Sequence, residues 1–103
     1  MMHHLYIRHT VGGRLFLDSK KHDTPFAITP AEGREGWKIS IEVPDEALAE
    51  AVCRHRDDLN IFFVPADAPD SKTWFFSTHG EVEYDGPGKP LVIWADGRID
   101  YKV

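Results

Sequence analysis

The sequence predicts an α+β fold: a mostly antiparallel curved sheet or roll of about seven to eight short strands with one helix over about residues 45–58. Three observations carry this. Short alternating or apolar runs are separated by glycine and proline turn signals throughout the chain. Only one stretch has helical periodicity, whereas a parallel sheet needs a crossover helix for each strand pair. The length of 103 residues suits a single domain spanning residues 1–103, with one core.

Leu5, Ile7, His9 and Val11 alternate with Tyr6, Arg8 and Thr10, and a second run, Arg14 to Asp18, follows Gly12-Gly13. This reads as a hairpin, because glycine supplies the positive φ angles that tight hairpin turns demand. Phe26 to Ile28 is a short strand held at a sheet edge by Pro25 and Pro30. Trp37, Ile39, Ile41 and Val43 alternate strictly with Lys38, Ser40 and Glu42, the pattern of a half-buried strand.

Asp45 is placed to cap the helix, with Glu46 at the positive end of its dipole and Arg54, His55 and Arg56 at the negative end. Leu48, Ala51, Val52, His55 and Leu59 form its apolar stripe. Leu59 to Val64 and Trp74 to Phe76 are apolar on both faces and read as central strands covered on both sides. Gly80 is the expected turn into Glu81–Tyr84, where Val82 and Tyr84 face in. Asp85 to Pro90 is loop, and residues 91–103 close the chain as a hairpin around Asp96-Gly97.

One helix of roughly fourteen residues covers only part of one sheet face. Either the sheet closes on itself as a roll, the favoured reading, or an apolar face is left open for a partner or a second copy.

Composition narrows the function classes. No apolar run approaches the roughly 20 residues of a membrane-spanning helix, and Met1 to Arg8 has none of the features of a secretory signal, so a cytoplasmic location is expected. Cys53 is the only cysteine, which excludes an internal disulfide, and it is expected to be a buried helix residue. A formal net charge of −5 disfavours direct binding to nucleic acid and a membrane role is not expected. The first 24 residues are the basic end of the chain, with Arg8, Arg14, Lys20 and Lys21 against Asp18 and Asp23.

Six histidines raise the question of metal, but His3, His4, His9, His22, His55 and His79 show no ligand spacing, and no metal site or cofactor is assigned. No nucleophile motif or phosphate loop is present, and Gly86 to Lys89 is a turn. Carboxylates are more suggestive. Glu81, Glu83 and Asp85 project from one strand and Asp96 and Asp100 belong to the last segment, so an acidic face results if those strands are neighbours. Trp74 and Phe75 point to opposite faces, which makes one of them a candidate interface anchor. Tyr6 and Arg8 are candidates for a basic-aromatic patch with too few visible members to define it.

The sequence therefore favours a non-enzymatic protein-binding module, an adaptor, regulator or inhibitor, acting through an acidic sheet face formed by Glu81, Glu83, Asp85, Asp96 and Asp100 with Trp74. A phage or mobile-element inhibitor of a host nucleic-acid-processing complex is one form of it, with a basic or nucleic-acid-binding protein complex as partner. Two alternatives stand beside it. One is a ligand-binding or enzymatic roll whose pocket is lined by Trp37, Trp74 and Trp94 with His9 or His79 as acid-base group. The other is a structural homodimer.

Overall fold

The computed structural model describes residues 3–10, 12–20, 24–33, 35–43, 45–68, 70–77 and 81–102; His22, His79 and the Gly80 turn lie outside them. Among the described residues nine strands form two antiparallel sheets, and one helix joins them. The sheet content is one strand above the expected count.

The five-stranded sheet is built from β1 (His4–His9), β2 (Leu15–Asp18), β5 (Leu59–Val64), β6 (Ser71–Phe76) and β9 (Gly97–Lys102), in the order β2-β1-β5-β6-β9. The four-stranded sheet contains β3 (Phe26–Pro30), β4 (Trp37–Ile41), β7 (Val82–Tyr84) and β8 (Leu91–Ala95), in the order β3-β4-β8-β7. The first hairpin forms as the glycine pair demands: Gly12 and Gly13 have φ of 80° and 69°, and the His9 amide donates to Arg14 O across the turn at 2.7 Å. Proline-flanked β3 is an edge strand.

Period-two alternation decides which side chains meet between the sheets. Leu5, Ile7, Leu17, Ile61 and Phe75 from the larger sheet pack against Ile39, Ile41, Leu91 and Ile93 from the smaller one, all essentially without solvent exposure. Aromatic contacts tie the layers together, Phe26 against Phe63 and Trp37 edge-on to Phe75 at 5.7 Å.

Helix α1 (Glu46–Arg54) packs on β2 and β7 and so closes one side of the roll, burying Ala49 and Val52. Asp45 caps it, its carboxylate accepting the Leu48 amide at 2.7 Å. The helix is shorter than the sequence suggests: His55 is its C-cap and Leu59 already belongs to β5. Among the described residues no helix is long and apolar enough to cross a membrane.

Two expectations are corrected by strand pairing. The last two strands are not a hairpin. Strand β8 pairs with β4 and β7, while β9 pairs with β6, so Asp96 is a one-residue corner where the chain leaves one sheet for the other. Its amide donates to Phe76 O at 3.1 Å, and Gly97 sits opposite Phe76, whose ring occupies the place of a Cβ. Likewise β7 pairs with β8 rather than turning back on β6. Strands β5 and β6 are central, but only their inner faces are covered by the second sheet. Their outer faces are half-buried by one another's side chains.

Candidate functional site

The outer face of the five-stranded sheet is the unusual surface of the molecule, because it is aromatic where an outward sheet face is ordinarily polar. Strand register places Tyr6 opposite Phe62, Phe62 opposite Trp74, and Trp74 opposite Ile99. A single cross-strand row thus runs over β1, β5, β6 and β9, and it ends beyond Tyr6 at its β2 partner Asp18. Phe76 and Tyr101 flank this row on the same face, by the alternation of β6 and β9.

The row is ordered by ring contacts and a hydrogen bond. Tyr6 and Phe62 stack at 5.1 Å, and Trp74 meets Phe76 at the same centroid distance. The Trp74 indole N–H donates to Asn60 Oδ1 at 3.1 Å, which fixes the plane of the ring. The Lys72 ammonium lies 4.5 Å from the Phe62 centroid and 5.0 Å from that of Tyr6, and the Arg8 guanidinium lies 5.6 Å from Tyr6. Such cation–π contacts hold a cation on an apolar surface at a gain of about 0.5–1 kcal/mol each where exposed. Asp18 is the acid of the row, and His4 Nε2 bonds its Oδ1 at 2.8 Å. Ile99 and Tyr101, exposed by 47% and 38%, carry the apolar surface out to the sheet edge.

The expected acidic face does not assemble. Glu83 projects from β7, the edge of the smaller sheet, with Glu81 and Asp85 at its two ends, whereas Asp100 lies on β9, the edge of the larger one, and Asp96 is the corner. The condition that these strands be neighbours fails because the chain changes sheet twice between β6 and β9. Asp100 is also engaged. It accepts the Thr73 hydroxyl at 2.6 Å and the Arg98 Nε at 3.1 Å, and these bonds, Thr73 first, lower its pKa below the ordinary carboxylate value. Of the six residues expected to bind a partner, only Trp74 lies on the aromatic face.

Acidity gathers instead around Tyr84, whose hydroxyl pKa is raised by burial first and then by the carboxylates of Glu46 and Glu50. A surface hollow of about 500 Å³ there is lined by Glu42, Asp45, Glu46, Tyr84 and Lys89 among others. The expected aromatic pocket does not form either. Trp37 faces the interior against Phe75, Trp74 the outer face of one sheet, and Trp94 the outer face of the other, with the Lys38 ammonium 5.7 Å from its ring. Cys53 is half-buried rather than fully buried, and its thiol pKa is pushed up, mainly by that burial, which keeps it a thiol.

Residues from two distant parts of the chain converge at the C-terminal end of the helix: His55 and Asp58 from the turn that follows it, and His9 from the end of β1. His9, His55 and Asp58 bring one ligand atom each within 4.8 Å of one another. Sequence spacing did not mark them, because His9 lies on a strand far along the chain from the turn that holds His55 and Asp58. No protein-family model matches the chain, and neither a curated protein nor a solved structure is similar to it.

Proposed function

We propose that the protein is a non-enzymatic binding module, an adaptor, regulator or inhibitor, that docks a protein partner on the outer face of its five-stranded sheet. The observation that supports this is the cross-strand row Tyr6, Phe62, Trp74 and Ile99, an in-register aromatic and aliphatic strip left uncovered by the helix and by the second sheet. Interfaces concentrate their energy in tryptophan, tyrosine and arginine anchors surrounded by a polar rim. This face has those residue types in that arrangement, with Arg8, Lys72 and the His4–Asp18 pair around the strip.

A protein suits the face better than single-stranded nucleic acid. Base stacking needs open ring faces, but Phe62 is stacked on Tyr6 and overlaid by the Lys72 ammonium. The net charge of −5 repels a polyanion at long range. The partner surface that complements the face is apolar at its centre, with carboxylates placed to meet Lys72 and Arg8.

The test compares capture by the wild-type chain, Ile99→Glu, Lys72→Glu and the double variant Glu81→Lys/Glu83→Lys, with purified partner affinity as the final readout. Ile99→Glu is expected to weaken binding by about 30-fold or more, as loss of an anchor worth about 2 kcal/mol does. Lys72→Glu should act in the same direction, and the Glu81/Glu83 double variant should bind as the wild type does. Loss of binding in that double variant alone would return the interface to the acids. A mass that doubles with concentration, and does so only when Ile99 is intact, would identify the occupant as a second copy of the chain.

A further inference from the structure

We propose that His9, His55 and Asp58 form a binding site for one divalent first-row metal ion, zinc being the ion that best matches the donors. Two imidazoles and a carboxylate are the mixed nitrogen and oxygen set that Zn²⁺ takes, and three protein ligands leave a coordination position for water.

His9 comes from β1 and His55 and Asp58 from the turn after α1, and backbone hydrogen bonds lock the two segments together. His9 ends β1, with its amide on Arg14 O at 2.7 Å. His55 is the C-cap of α1, with its amide on Ala51 O at 3.2 Å. Asp58 donates its amide to His55 O at 2.8 Å and accepts the Thr10 amide at 2.9 Å, so it is tied to the helix end on one side and to the β1 hairpin on the other.

The side-chain geometry is close to that of a coordination sphere. His9 Nε2 lies 3.9 Å from Asp58 Oδ2, and all three ligand atoms fall within 4.8 Å of one another. Zinc bonds of about 2.0–2.1 Å place tetrahedral ligand atoms about 3.3 Å apart. Closing the cluster requires about 1 Å of side-chain rotation, which Asp58, at 53% side-chain exposure, is free to make.

The surroundings favour a cation. The helix presents the negative end of its dipole at His55. Phe16, almost fully buried, stacks on the His55 ring at 5.2 Å and lies 5.9 Å from that of His9, giving the cluster an apolar floor. Arg14, 5.3 Å from the Phe16 ring, and the exposed Arg54 and Arg56 oppose a cation, but as solvent-facing charges they are screened, whereas coordination bonds are not. A metal there would clip the helix end to the β1–β5 pair.

The experiment is a zinc titration of the full chain, freed of any affinity tag, by calorimetry, paralleled by Co²⁺ titration read in the visible ligand-field band. One ion per chain, a Co²⁺ spectrum showing nitrogen and oxygen ligation, and a thermal midpoint raised by zinc are expected. Loss of an outer-sphere partner costs about 10–100-fold in metal affinity. Loss of a direct ligand costs at least as much, so His55→Gln and Asp58→Asn should each weaken zinc binding by about 100-fold. His3→Gln/His4→Gln, at the opposite end of β1 from His9, should leave zinc affinity unchanged. If His55→Gln fails to fold, the exposed Asp58→Asn decides alone. Absence of stoichiometric binding overturns the proposal, as does binding that survives Asp58→Asn and vanishes with His3 and His4.

Discussion

At the residue scale, Asp100 shows how a sequence feature changes meaning once its neighbours are known. It stands at 61% side-chain exposure, yet the Thr73 hydroxyl and Arg98 both donate to Oδ1, and the two bonds favour its ionised form. With its folded pKa below the unfolded one, Asp100 contributes stability that is present above the ordinary carboxylate value and is lost as pH falls through the folded value. Thr73→Val removes the larger cause. Its expected outcome is a rise in the Asp100 pKa toward the ordinary value, followed by NMR titration of the side-chain carboxyl carbon, with the acid limb of the stability curve moving to higher pH. An unchanged titration in the valine variant would show that Arg98 alone holds the carboxylate.

The element scale is where helix α1 and strands β5, β6 and β9 differ in how far their neighbours along the chain define them. The helix is locally specified: Asp45 caps it, Glu46 sits in its first turn and Arg54 in its last. Asp45→Ala should cost about 1 kcal/mol, within the usual range for a lost N-cap, measured as a lower urea midpoint at unchanged m-value. The same local logic made β1, β2, β3 and β4 legible from glycine pairs, prolines and period-two alternation. It misread Leu59–Val64 and Trp74–Phe76. An apolar run on both faces says that water avoids both faces, and it does not say whether a second sheet, neighbouring rings or a partner excludes it. Here the inner face is covered by the opposing sheet, and the outer face is only half-buried, by Tyr6, Lys72 and the strand's own neighbours. The Asp96-Gly97 turn signal failed similarly, since a tight turn does not tell the chain which sheet to enter. Gly97 is occupied by the Phe76 ring of another strand, a contact no local pattern encodes. The His9, His55 and Asp58 cluster was invisible for the same reason: His55 and Asp58 share one turn, but His9 reaches them only through the pairing of β1 with β5.

For the whole molecule, the decisive feature is the double change of sheet after β6, because it separates the acids, aligns the aromatic row and leaves β9 at an open edge. The close approach that permits the second change is at Gly36, just before β4, where φ is +107° and a Cβ would overlap the carbonyl oxygen of Ala95 at the end of β8. Gly33, in the same turn region, also has positive φ, at +72°, but open space around its Cα. The two glycines therefore separate conformational strain from steric exclusion. Gly33→Ala should cost about 1–2 kcal/mol, the ordinary left-handed penalty. Gly36→Ala adds to backbone strain an overlap with main chain that no rotamer change relieves, and should cost about 3–5 kcal/mol. Chemical denaturation of the two variants measures the difference. Because Ala95 O belongs to the residue before the corner, the Gly36 variant should also release β9 from β6, seen as faster amide exchange at Ile99 and Tyr101 with the β1–β2 hairpin still protected. Equal losses in the two variants would mean that the corner yields freely and that the aromatic row is held by β6 and β9 alone.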